Sequence, residues 1–342
     1  MAERENEKKM SREKFFRIGG SSIAGLAILG VAGNNIYNMI AKPEKLFYNE
    51  QPQGVAKVKA LPSPYRKVGA FNAQGAVCAF DVSGEQIFAA TNESLYIYDM
   101  SGKQQSKLSI GRIVRDIAIY NGEIYILYPT KIEVRSLQGA PAREWEACSD
   151  ESDYCSMTVF EGGVFVTDAH NKNICQYTLD GGFKRFINSP DEFIVPSYSF
   201  GITNFDGKVY CSNPGRHKVE CYNTDGEFLS SFGESGVGQG EFGGCCNPVH
   251  LTTTASGDII TSEKGIPRIC CYGRDGKFHA TLLDKDALGY GTTAREVRIN
   301  GRELYVVHGN TISTFIYDEQ FAANTACADC KEECPLRRNT NI

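Results

Sequence analysis

Short runs in which apolar and polar side chains alternate recur along the chain at residues 86–90, 123–127, 164–168, 208–212, 258–262 and 303–307. A period of two is that of a β-strand with one face buried. Each run follows a turn that carries glycine, at Gly84, Gly122, Gly162, Gly207, Gly257 and Gly301. Subtracting consecutive positions gives spacings of 38, 40, 45, 50 and 44 residues. Such a period marks a supersecondary unit that cannot bury its own apolar face and is therefore repeated.

A second set of turns lies deeper in each unit: Ser101 with Gly102, Gln138 with Gly139, Asp180 with Gly181, Asp225 with Gly226 and Asp275 with Gly276. Ahead of most of them runs an aromatic segment, at 95–98, 174–177, 219–222 and 269–272, suited to a pleated, half-buried strand. Two hairpins per unit give four antiparallel strands, and six units predict an all-β fold, a six-bladed β-propeller. The sixth unit ends at Tyr317, Asp318 and Glu319 with no glycine and no outer strand behind it. Residues 65–71 (Tyr-Arg-Lys-Val-Gly-Ala-Phe) read like the outer strands at 184–187 and 227–232. An N-terminal strand is therefore expected to complete the last blade, which removes an edge open to aggregation.

Composition supports a globular domain. Of 342 residues 42% are hydrophobic and 23% charged, and the turns account for the 35 glycines. A net charge of -5, with no basic patch interleaved with aromatics, argues against nucleic acid as a partner.

Residues 1–41 are of another kind. Arg12, Lys14 and Arg17 precede an apolar, glycine-rich stretch at 18–33 that ends in Asn34 and Asn35. This order reads as an export signal or, if retained, a membrane anchor. Residues 11–17 (Ser-Arg-Glu-Lys-Phe-Phe-Arg) resemble a twin-arginine signal, with Glu13 in the place of the second arginine. A proline-containing spacer then covers 42–64, the propeller 65–320 and a cysteine-rich tail 321–342. The expected location is the periplasm or the outer face of the inner membrane.

The segment 232–278 contains Phe-Gly-Glu-Ser-Gly-Val-Gly-Gln-Gly-Glu-Phe, then Gly-Gly-Cys-Cys-Asn-Pro-Val-His, and later Ser-Glu-Lys-Gly-Ile-Pro-Arg-Ile. It resembles the NHL repeat. The match is good in the fifth blade, fair in the third and fourth, and poor in the others. The Gly-Cys-Cys-Asn-Pro and Glu-Lys-Gly motifs are similar to those of exported bacterial NHL-type propellers. The resemblance implies a binding or scaffolding module, although a minority of six-bladed relatives are metal-dependent lactonases or lyases. Fold alone does not choose between them.

Propeller topology puts the loops that enter each blade, and those between second and third strands, on one rim. That rim is expected to carry Cys148, Cys155, Cys245 and Cys246, with Asp168, His170, Arg216, His217, Glu263, Lys264 and His308. The binding face proposed from sequence is Cys245, Cys246, Asn247, Glu263, Lys264 and Arg268. Adjacent thiols in a glycine-led turn suit a soft metal, a vicinal disulfide or thiol exchange, and equally the packing of small apolar groups. The five histidines show no ligand spacing. Glu263, Asp168 and Asn247 are the side chains available to a metal-dependent enzyme at the axis.

Thirteen cysteines is an odd number, so at least one is free, metal-bound or paired between chains. Strand alternation sends Cys270 and Cys271 to opposite faces. Cys78, Cys175, Cys211 and Cys221 read as core thiols. In the tail, Cys327, Cys330, Cys334 and Pro335 have the spacing of the last three cysteines of a bacterial ferredoxin run, with Asn324 in the first position. Those three thiolates suit an iron–sulfur cluster, another metal, or disulfides in an oxidising compartment.

The sequence thus points to an exported propeller, tethered if its leader is retained, acting as a non-catalytic binding or accessory module for a periplasmic or membrane protein. An iron–sulfur electron carrier and a metal-dependent lactonase or lyase are the alternatives.

Overall fold

The computed structural model describes residues 64–318, apart from Arg112, Ile266 and Tyr290. The leader, the spacer to residue 63 and the tail with Cys327, Cys330 and Cys334 lie outside the described residues. The described chain forms six four-stranded sheets, each with its strands hydrogen-bonded in sequence order from inside to outside except the last. It is a six-bladed β-propeller. No helix of the described residues is long and apolar enough to cross a membrane.

The inner strands of blades 1 to 6 are Ala79–Ser83, Asp116–Tyr120, Tyr154–Phe160, Ile202–Phe205, His250–Thr253 and Glu296–Asn300. Blade 6 takes its outer strand from the front of the domain. Tyr65–Asn72 pairs antiparallel with Thr311–Tyr317, from Tyr65 opposite Tyr317 to Asn72 opposite Thr311. The expected closure is therefore present.

The core is divided among the seams between blades. Six apolar clusters exist, and each joins two neighbours: Phe88, Ile97, Ile117 and Ile126 between blades 1 and 2, for example, and Phe80, Ile87, Tyr305 and Ile312 between blades 6 and 1. Cys270 belongs to the seam between blades 4 and 5 and Cys271 to that between blades 5 and 6, as alternation requires.

The outer hairpin glycines have a second task besides turning the chain. Gly102, Gly139, Gly181, Gly226 and Gly276 all have φ between 79° and 95°. A Cβ on each would collide with an outer-strand side chain of the preceding blade: Phe71, Leu108, Trp145, Ile187 and Phe232 respectively. Each blade thus lays a large apolar side chain over the hairpin of the next. Phe71 does this across the closing seam.

One turn differs from the sequence expectation. In blade 3 the left-handed residue is Gly163, with φ 120°, and not Gly162. A Cβ on Gly163 would stand 2.2 Å from the Tyr177 carbonyl oxygen, which cannot move without breaking the hairpin. At Gly122, with φ 75°, a Cβ would meet nothing within 4 Å.

The pair makes a prediction. Gly122→Ala should cost about 1 kcal/mol, the price of a left-handed alanine. Gly163→Ala should cost more than about 3 kcal/mol, because backbone strain and overlap add. Urea denaturation of the two variants checks the difference.

Candidate functional site at the channel mouth

Charged residues interrupt the inner strands at positions that face the axis. From blade 6, the Arg298 guanidinium reaches Asp116 Oδ1 at 3.0 Å, Glu296 Oε1 at 3.4 Å and Asp81 Oδ1 at 3.6 Å, and it lies over the Phe80 ring at 5.5 Å. Each carboxylate also accepts from the blade that follows its own. Asp81 accepts from the Ile119 backbone N–H at 2.8 Å, and Glu296 from that of Phe80 at 3.3 Å. Asp116 accepts from Ser156 Oγ at 2.7 Å and the Met157 N–H at 2.9 Å. The cluster therefore laces blades 6, 1, 2 and 3 together. Burial pushes the Glu296 carboxyl up to about 8, against the opposing pull of Arg298, and it raises Asp81 in the same way.

Above this cluster opens a cavity of about 240 Å³. Its wall includes Cys78, Cys155, Ser156, Tyr198, Ser199 and His250 beside the ionic groups. Burial, then the positive charges of Arg298 and Lys264, push His250 down to about 4, so its imidazole is neutral at physiological pH. The loops that enter blades 2, 4 and 5, which share that face by topology, expose apolar side chains: Ile113, Ile194, Tyr198 and Val237, the last 76% exposed, and Tyr198 also lines the cavity. Ile113, Ser197 and Tyr198 have φ of 60°, 59° and 56°, a left-handed backbone that costs a non-glycine residue about 1–3 kcal/mol. Strain of this kind collects where loop shape matters more than stability.

The six residues singled out from sequence sit together in blade 5, and most of them build the loop that carries the thiols. Asn247 is buried and clips two segments: its Nδ2 donates to the Gly243 and Lys264 carbonyls at 2.6 and 2.9 Å, and its Oδ1 accepts from the Lys264 N–H at 2.9 Å. Glu263 is buried and pairs with Arg268 at 2.9 Å. Arg268 in turn donates to the carbonyls of Gly238 and Glu241, which pins the glycine-rich run at the end of blade 4. Lys264 reaches Ser199 Oγ at 3.1 Å, on the cavity wall. Cys245 is exposed and Cys246 buried, with their sulfurs 3.0 Å apart. The Cys246 sulfur, and then burial, raise the Cys245 thiol above its ordinary value.

The side chains available to an axial metal do not gather there. Glu263 is held by Arg268, Asn247 by backbone, and Asp168 accepts from the N–H groups of Asp153, His170 and Asn171. The axial groups are instead Asp81, Asp116, Glu296 and Arg298. The signal for them is a charge inside an inner strand at Ala-Phe-Asp-Val, Asp-Ile-Ala-Ile and Glu-Val-Arg-Ile, where alternation alone expects the axis-facing side.

Cys175 is a core thiol as expected, and Cys78 packs against the seam between blades 1 and 2, but both also make polar contacts. Cys78 is half-buried on the cavity wall, its Sγ 3.4 Å from the Ala90 carbonyl oxygen. Cys175 is buried but meets Cys148, from the loop entering its own blade, at 3.0 Å between sulfurs. Tyr154 OH lies 3.4 Å from Cys148 Sγ. The hydrogen bond from Cys175 is the largest of the influences that bring the Cys148 thiol down to about 6, and Cys175 is raised in exchange. Such a shift favours the thiolate at Cys148. Sequence placed Cys148 on the rim but not beside Cys175, which stands 27 residues away on another strand.

No family model matches the chain, and no curated protein matches it in sequence. Solved structures are similar in fold. Virginiamycin B lyase from Staphylococcus aureus superposes with a TM-score of 0.55 at 13% identity, over 74% of this chain and 99% of that one. A streptogramin B lyase gives 0.55 at 13% identity, over 75% and 99%. A luciferin-regenerating enzyme gives 0.52 at 12% identity, over 72% and 95%. At such identities the likeness defines the class of fold, a six-bladed propeller with lyase-type and other structural neighbours, and not an activity.

Two measurements follow. Since Glu296 binds its proton more tightly folded than unfolded, the folded state holds more protons between the ordinary carboxyl value and about 8. Stability should therefore fall as pH rises through that window, and Glu296→Gln should flatten the slope in melting curves taken from pH 5 to pH 9. Iodoacetamide at pH 7 should label Cys148 ahead of Cys245, with the Cys148 rate half-maximal near pH 6; mass spectrometry of timed digests reads both.

Proposed function

We propose that this chain is an exported propeller of the NHL-like type that serves as a non-catalytic binding or accessory module, docking a periplasmic or membrane protein on the channel-mouth rim. The observation that carries this reading is the contrast between rim and axis. Ile113, Ile194, Tyr198 and Val237 stand exposed on the rim, and large apolar side chains left in water around a concave mouth are anchors for a protein partner. Cys245, exposed beside the Asn247–Lys264 clip, belongs to the same rim, with Glu263 and Arg268 holding its loop in shape.

The axis fits the metal-dependent lactonase or lyase reading poorly. A divalent ion there needs carboxylates free to ligate it, whereas Asp81, Asp116 and Glu296 already surround the Arg298 guanidinium. A built-in cation takes the position, so no catalytic step is drawn through a metal.

The test uses the full chain in its native host with a photocrosslinking residue at position 198 or 237, and at position 186 on an outer strand as the comparison. One protein should be captured from both rim positions and not from 186. Val237→Asp, and the double change Cys245→Ser with Cys246→Ser, should each weaken the purified complex about tenfold or more, roughly 1.4 kcal/mol, while melting stays unchanged. Capture from the outer strand alone, or no adduct from either rim position, overturns the reading.

A further inference from the structure

On the other side of blade 5, away from the channel mouth, three different donor types converge. Asp258 immediately precedes the second strand of the blade, Cys271 lies on the third and His279 on the fourth. One ligand atom from each, a carboxylate oxygen, the thiol sulfur and an imidazole nitrogen, lies within 4.8 Å of the other two. Asp258 and Cys271 are buried, at 6% and 1% exposure, and His279 is half-buried.

The surroundings are shaped for such a grouping. Ser256 Oγ donates to Asp258 Oδ2 at 3.0 Å, which fixes the carboxylate and leaves its other oxygen for a further contact. The backbone of the fold brings Cys271 opposite Ala280, the neighbour of His279, and Ile260 on the inner side. Gly273 leaves room for the ring: a Cβ there would stand 2.7 Å from His279 Cε1 and 2.8 Å from its Nε2. The Nδ1 atom of His279 is shut off from solvent and meets no hydrogen-bond partner. A buried nitrogen without a partner is costly, and in its unprotonated form it is a metal ligand.

We propose that Asp258, Cys271 and His279 form a binding site for a divalent borderline metal ion, zinc being the member that its oxygen, sulfur and nitrogen donors suit best. Zinc takes all three donor types at bond lengths of about 2.0–2.3 Å, with tetrahedral geometry, and three protein ligands leave the fourth position to water. Donors at such bond lengths stand roughly 3.3–3.8 Å apart, so the triad must draw in by about 1 Å, a movement within reach of the half-buried His279 ring. Charge also balances. A carboxylate and a thiolate neutralise the ion, so the complete site is neutral where burial would penalise a net charge. Binding releases one proton from the Cys271 thiol as the sulfur–metal bond forms, with no change of oxidation state.

The site would also bear on closure of the ring. Cys271 shares its apolar cluster with Tyr65 of the strand that completes blade 6. A metal held at blade 5 therefore stiffens the surface on which that strand rests.

The experiment compares full-length protein with His279→Gln and Asp258→Asn, which leave every thiol of the chain in place, so that the tail and vicinal cysteines contribute equally to all three. Cobalt(II), the spectroscopic probe, should give tetrahedral d–d bands and a sulfur-to-metal charge-transfer band that weaken in both variants. Competition against a chromophoric chelator should show one equivalent of zinc more in the parent than in either variant. At about 100-fold excess over the dissociation constant, zinc should raise the parent's melting temperature by about 5 °C relative to the variants. Gly273→Ala, which removes no ligand but crowds the ring, should weaken binding at least tenfold. Equal zinc stoichiometry, equal cobalt spectra and equal metal-induced melting shifts in parent and variants would overturn the proposal.

Discussion

Everything in this propeller rests on the pairing of Tyr65–Asn72 with Thr311–Tyr317, because a ring of wedge-shaped sheets is stable only when no seam is left open. Seven residue pairs join the two segments across almost the full length of the described chain. The entropic cost of so long a loop is modest, since it grows only with the logarithm of length. The return is large: one strand serves two seams at once. Tyr65 enters the cluster between blades 5 and 6, and Phe71 covers Gly102 of blade 1 as other large side chains cover the hairpin glycines of blades 2 to 5. The closing seam is thus built by the same contact as the others, which is why closure needs no special device.

Closure alone does not set the blades at a definite height along the axis, since apolar seams tolerate sliding better than directed bonds do. The Arg298 cluster supplies directed bonds where the inner strands come nearest. One guanidinium among three carboxylates leaves excess negative charge, and burial answers by raising Glu296 and Asp81 toward their protonated forms. A buried ionic network is weak evidence for net stability, because desolvation offsets much of the Coulomb gain. Its better-supported effect is register: Asp81, Asp116 and Glu296 each accept from a backbone N–H of the next blade, and those bonds fail if a blade shifts by one residue.

Much of this architecture was legible in the sequence because turn chemistry is local. The hairpin glycines, the alternating strands and the missing sixth outer strand are properties of a few neighbouring residues, and they gave blade number, strand order and closure. Gly163 escaped because adjacent glycines leave the choice of the left-handed one to packing against Tyr177. The candidate sites were less legible for a physical reason. Asp81, Asp116 and Arg298 meet through the axis from far-separated strands, and Asp258, Cys271 and His279 converge from successive segments of blade 5, and no local pattern encodes such convergence. The nominated Cys245–Cys246 motif was visible because it is contiguous, yet most of the residues around it hold the loop in shape. The face separation of Cys270 and Cys271 was readable because a period of two is itself local.

The division between a cross-braced axis and apolar rim decides what kind of complex the rim can support. Full burial of an exposed large apolar side chain is worth about 1.5–3 kcal/mol, so Ile113, Ile194, Tyr198 and Val237, already partly covered, together offer roughly 4–7 kcal/mol before losses. Association costs on the order of 4–15 kcal/mol in lost freedom. Apolar anchors alone therefore leave little surplus, and the axial carboxylates are already engaged by Arg298 and by backbone N–H groups of neighbouring blades. On the proposed docking reading, the remaining affinity would come from polar and thiol groups of the same face, Ser199 on the cavity wall, Lys264 bonded to it, Cys148 and Cys245 among them. The left-handed backbone at Ile113, Ser197 and Tyr198 is consistent with that proposal, because loops already shaped would spend less on ordering in a complex.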